Sequence, residues 1–128
     1  MHLPAPDESL WVGVLRLALG IPGARSLKDR RRAVAQVRDR IRARAEFTVA
    51  EVGHLESHTM AIVAVGMVSN DPRLLRSTLD ALGHQVESWD RVLVTGRSIA
   101  VMRPFENDYE DEDWDQEDWE SPDDGEFQ

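Results

Sequence analysis

Residues 25–45 read RSLKDRRRAVAQVRDRIRARA, and the reading of this stretch decides the fold. Ser26 suits an N-cap and Asp29, three residues on, resembles the acidic half of a capping box, so a helix is predicted to start here. At about 100° per residue, Leu27, Val34, Val37, Ile41 and Ala45 share one arc, the core face of an amphipathic helix. Lys28, Arg31, Arg32, Arg38 and Arg42 fall on a neighbouring arc whose only acid is Asp39. Arg30 breaks the pattern: it falls within the apolar arc, where it must snorkel or be paired. Between Arg25 and Arg44 the chain carries nine Lys/Arg against two Asp, a strongly positive segment in a chain whose net charge is −9.

Working outward, residues 10–19 (LWVGVLRLAL) are rich in Val and Leu on both alternation faces, which predicts a central strand. Pro22 and Gly23 punctuate the turn into the helix. Downstream, residues 47–54 read as a second strand, with Phe47, Val49 and Glu51 on one side and Thr48, Ala50 and Val52 on the other. Residues 60–69 (MAIVAVGMVS) are again apolar on both faces, and the short polar link 55–59 makes a hairpin the natural connection. Asp71 then suits an N-cap and Pro72 the first position of a second helix. Its core stripe is Leu75, Leu79, Leu82 and Val86, flanked by Leu74 and Thr78, and Gly83 weakens its last turn. Residues 91–102 (RVLVTGRSIAVM) make a fourth, more polar strand, closed by Pro104.

The order βαββαβ predicts an α/β (α+β) ferredoxin-like sandwich: a four-stranded antiparallel sheet with both helices on one face, since two split βαβ units satisfy right-handed crossovers most simply that way. The first and third strands belong in the centre and the second and fourth at the edges. Central strands that are apolar on both sides leave an open sheet face of the kind that is usually covered, and a homodimer is expected to cover it.

Composition divides the chain into a lead at 1–9, a domain at 10–104 and a tail at 105–128. The tail holds thirteen Asp/Glu and no Lys or Arg, which leaves the rest with fifteen bases against eleven acids, so the overall pI of 4.8 misdescribes the domain. The absence of cysteine removes disulfides, thiol nucleophiles and the common zinc frameworks. No leader pattern and no membrane-length apolar run is present, so a cytoplasmic protein without membrane association is expected.

Three segments, VGVLRLALGIPGARSLKDRRR at 12–32, VAEVGH at 49–54 and VSNDPR at 68–73, carry a resemblance to the YlxP-like proteins, a bacterial domain family of unknown function. The resemblance spans about residues 10–102 and implies a small ferredoxin-like fold. Genes of that family often sit beside translation and ribosome-maturation genes, which is an associational hint toward RNA. It supplies no catalytic residues. Relatives commonly carry a segment resembling QDLWQRA at the second hairpin, where this chain reads LESHTMA at 55–61. The acidic tail lies outside the family pattern.

The basic arc breaks a local rule, because Lys28, Arg30, Arg31 and Arg32 crowd the first turns of a helix, where the macrodipole disfavours cations. The first reading is therefore a non-enzymatic RNA- or ribosome-associated accessory factor that binds phosphates through Arg25, Ser26, Lys28, Arg31, Arg32, Arg38 and Arg42. The start of the helix is a candidate phosphate cradle built from backbone N–H groups, Ser26, Arg25 and Lys28. GIPGARS at 20–26 is not a P-loop, since its Gly-Lys-Ser/Thr end is missing. His54 and His58, with Glu51 and Glu56 nearby, need not converge, so no metal site is assigned. No nucleophile has an adjacent base, no catalytic residue is singled out, and no cofactor is implied. Trp11 is the lone aromatic on a central strand, which favours phosphate contacts over base stacking.

Five of the eight aromatic residues lie in the tail, among them Tyr109, Trp114 and Trp119. Acids interleaved with aromatics suit a short linear motif for a basic, greasy surface. The tail, whose charge and Pro/Gly ending suit a disordered segment, is thus expected to occlude the basic helix as a nucleic-acid mimic, to recruit a basic protein partner in the alternative reading of a homo-oligomeric interaction module, or to serve as a passive acidic tail.

Overall fold

A computed structural model describes residues 8–105. Most of the N-terminal lead, and Tyr109, Trp114 and Trp119 of the tail, lie outside the described residues. The elements are β1 (Trp11–Gly20), α1 (Leu27–Arg42), β2 (Thr48–Gly53), β3 (Met60–Ser69), α2 (Pro72–Val86) and β4 (Leu93–Met102). The sheet order is β2-β3-β1-β4 with every neighbour antiparallel, which is the ferredoxin-like α+β arrangement with the two-sided apolar strands in the middle. Several boundaries differ from the sequence reading: β1 is displaced by one residue from 10–19, and β2 loses Phe47 and His54 from 47–54, His54 turning at φ 56°. Ala45, placed on the core arc of α1, is exposed in the turn beyond the C-cap Ala43. Strand β4 begins after Arg91, whose φ of 76° is incompatible with an extended strand.

One face of the sheet holds the core. Leu15, Leu17, Leu19, Val63 and Val65 are fully buried there against Val34, Val37 and Ile41 of α1 and Leu79, Leu82 and Val86 of α2. Helix α1 covers β2, while α2 covers β1 and β4. The close seat of α2 depends on Gly13: a Cβ there would stand 2.8 Å from Leu79 Cδ1 and 3.2 Å from Leu75 Cβ. Asp71 caps α2 by accepting from the backbone N–H groups of Arg73 and Leu74, with Pro72 at the first helical position.

The other face carries the alternate strand residues, with Val14, Arg16 and Ala18 of β1 opposite Gly66, Ala64 and Ile62 of β3 and Ala100, Ser98 and Gly96 of β4. Ala50 of β2 extends the row through Ala64. Both helices pack on the opposite side, so among the described residues nothing covers this face. Met60, Val68, Leu93 and Met102 at its ends are each at least 42 % exposed. No described helix is long and apolar enough to cross a membrane.

Candidate nucleic-acid interface

The seven cations inside α1, and the two that flank it, divide into those the fold uses and those it leaves to solvent. Arg30 is 2 % exposed and buried beneath the helix. Its guanidinium pairs with Glu51 of β2, donates to the His54 carbonyl at 2.6 Å, and donates from Nε to the Met60 carbonyl at 3.0 Å. One side chain from α1 thereby ties together the end of β2, the hairpin loop and the start of β3. His54 adopts φ 56° in that loop and its carbonyl also accepts from the Ser57 N–H. Arg40 lies flat on Trp89, 4.0 Å from the ring centroid. Arg44 stacks on Phe47 at 4.7 Å and pairs with Glu46 at 2.8 Å. Glu46's carboxyl is held below the usual carboxylate range, first by a backbone N–H and then by the Arg44 guanidinium.

On the flank opposite Arg40 the picture reverses. Lys28, Arg31, Arg32 and Arg42 are exposed and make no ion pair or hydrogen bond among the described residues. Arg38 is half-buried on the same flank, and its Nε is buried without a partner. The arc read from the sequence is therefore a continuous surface. Arg25 sits just before the helix and is exposed.

The start of α1, the candidate phosphate cradle, is capped by its own side chains. Ser26 Oγ accepts from the Asp29 N–H at 3.1 Å, and Asp29 Oδ2 accepts from the Arg25 N–H at 2.9 Å. The two bonds form a reciprocal cap around Ser26 of the capping-box kind. Beside it, Arg32 and Arg91 line a depression of about 340 Å³ together with Ile21, Pro22, Gly23, Ala24, Asp29 and Ala33. Ser26 Oγ and the Arg25 backbone N–H take part in the cap, and the exposed Arg25 guanidinium stands beside the flank that runs from Lys28 to Arg42.

Three arginines escaped the sequence reading. Arg91 joins the depression only because α2 and β4 bring its turn beside α1. Arg97 projects toward α2 from β4, 3.0 Å from His84 Nε2 and within 3.8 Å of Asp80 and Glu87. Gly83 makes room for it, since a Cβ there would stand 2.5 Å from Arg97 Nη1. Arg16 is exposed in the middle of the open sheet face. Its signal was available, as it is the only charged residue in a ten-residue strand. Among the described residues no three metal-ligating side chains converge, and His54 and His58 stand exposed in the hairpin loop.

No curated protein matches the chain. A family model described as "Protein of unknown function (DUF503)" matches residues 12–98, which takes in every strand and both helices up to the middle of β4. The match spans more than half of the 128 residues, and the chain belongs to this family.

Proposed function

We propose that the protein is a non-enzymatic, cytoplasmic RNA-associated accessory factor, of the YlxP-like kind, and that the ribosome or one of its RNAs is the partner. One observation carries the reading. Along α1 and its C-terminal flank, Arg30, Arg40 and Arg44 are engaged by acids, carbonyls and rings, whereas Lys28, Arg31, Arg32 and Arg42 stand together without an ion pair among the described residues. An exposed face on which five cations meet a single acid, Asp39, is the electrostatic footprint of a phosphate-bearing partner. No aromatic side chain lies on the open strand positions at the centre of the sheet, so the contacts are to backbone phosphates rather than to stacked bases.

The test is a salt titration of binding to a fluorescent single-stranded RNA oligonucleotide. Four phosphate contacts give a log–log slope of about −3. Replacing Arg31, Arg32, Arg38 and Arg42 by Gln flattens that slope, while Arg40→Gln, whose guanidinium is held on Trp89, leaves it nearly unchanged. A slope that survives the fourfold replacement removes α1 as the binding surface.

A further inference from the structure

The open sheet face has a chemistry of its own, independent of α1. Its strand positions are Val12, Val14, Arg16 and Ala18 on β1, with Ile62, Ala64, Gly66 and Val68 on β3 and Gly96, Ser98, Ala100 and Met102 on β4. Arg16 is the one charge among these positions, and it has no partner among the described residues. Because its neighbours Ala18, Ala64 and Gly96 are small, the guanidinium borders a depression of about 270 Å³ lined also by Ala18, Ile62, Gly96, Arg97 and Ser98, with the Arg97 side chain committed to α2 on the other face. Whatever covers the face must fill that depression with apolar volume and bring a carboxylate to Arg16, since burying an unpaired guanidinium is prohibitive. A second copy of the same face brings a second arginine and no acid.

The chain supplies an occupant with the required pairing. Strand β4 ends at Met102, which lies opposite Val12 at one end of the open face, and Pro104 and Phe105 turn the chain there. Residues 106–128 follow, with thirteen acids and the aromatics Tyr109, Trp114, Trp119 and Phe127. Arg16 lies four residues along β1 from Val12, about 13 Å at roughly 3.3 Å per residue, so a handful of residues beyond Phe105 reaches it. Tethering at that point gives the segment a high effective concentration over the face. The flank of α1 offers the same segment charge alone. The sheet face offers an unpaired guanidinium and an apolar seat together, which is what interleaved acids and aromatics need. We propose that residues 106–128 of the same chain dock on the open face of the sheet, with a carboxylate on Arg16 and an aromatic ring over Ala18, Ile62 and Gly96.

The chain has no cysteine, so a single Ser121→Cys substitution in the full-length protein accepts one nitroxide. Docking predicts that the amide signals of Arg16, Ala64 and Ser98 lose most of their intensity in the labelled protein and regain it on reduction of the nitroxide. Arg16→Gln weakens that loss. Ser98→Glu, which gives Arg16 an acid from the adjacent strand, weakens it as well, and both changes sit at surface positions. Broadening confined to Lys28–Arg42 overturns the proposal in favour of the helix. Undiminished signals at all these positions overturn it outright. Broadening that appears only when isotope-labelled, nitroxide-free chains are mixed with tagged ones assigns the face to a second copy and overturns the intramolecular seat. Shifts of Arg16 and Ser98 on adding an RNA oligonucleotide, with no broadening from the nitroxide, assign the face to RNA and overturn it too.

Discussion

Arg30 is the residue on which most of the local structure converges. A guanidinium that is 2 % exposed, with its acceptors on β2, the hairpin loop and β3, makes the position of α1 and the geometry of the hairpin one problem. Removing it leaves Glu51 and the Met60 carbonyl under the helix without a donor, and the His54 carbonyl with the Ser57 N–H alone. Arg30→Met is therefore expected to destabilise the fold by about 3–5 kcal/mol, the usual cost of breaking one side of a buried pair. Replacing both members, Arg30→Met with Glu51→Leu, recovers much of the loss because no orphaned charge remains. Urea denaturation of the two variants checks both statements, and equal losses would refute the account. The sequence showed the problem but not its solution. An arginine on an apolar arc announced that a partner existed, while the identity of Glu51 depended on the register of β2 against β3, which no local pattern encodes. Arg16 was overlooked for the opposite reason: a strand read as apolar on both faces draws attention away from its single charge.

Among the elements, α1 pays a local penalty for its composition. Lys28, Arg31 and Arg32 stand in the first turns, where the macrodipole favours acids, and only Asp29 meets that preference by capping. The helix holds because Ala33, Val34, Val37 and Ile41 are buried against the sheet. If the cations serve a phosphate partner, stability and binding move in opposite directions at Lys28. Lys28→Glu is expected to raise stability by about 0.3–1 kcal/mol through the dipole while weakening RNA binding and reducing the salt slope by about 0.7 on a single strand. Thermal unfolding and the RNA titration measured on one preparation check this, and parallel changes would refute it. Both helices were legible because capping residues and apolar periodicity agreed. The seat of α2 was not: the role of Gly13 emerges only where Leu75 and Leu79 approach the backbone.

For the molecule as a whole, element order and the two-sided character of β1 and β3 were enough to settle the topology, since chain order leaves few right-handed solutions. What sequence could not settle was how the two exterior strands face the world. They share a feature. In the cross-sheet row Glu51–Val63–Leu17–Arg97, each edge strand places a charged side chain on the core side, Glu51 beneath α1 and Arg97 against α2. The register also shifts near both ends of this row, between Glu51 and Gly53 and between Ala18 and Leu19. A foreign strand that added to either margin and continued the sheet would have to lay its own apolar row beside a charge already committed to a helix. Inward-pointing charges and local irregularities are devices by which sheets resist growing sideways. The inward charges of the two edge strands are therefore expected to oppose strand addition, an effect separate from their contribution to stability. A chain carrying Arg30→Met, Glu51→Leu and Arg97→Leu is expected to unfold at nearly the same urea concentration as Arg30→Met with Glu51→Leu, yet to form thioflavin-positive fibrils on prolonged agitation where the native chain does not.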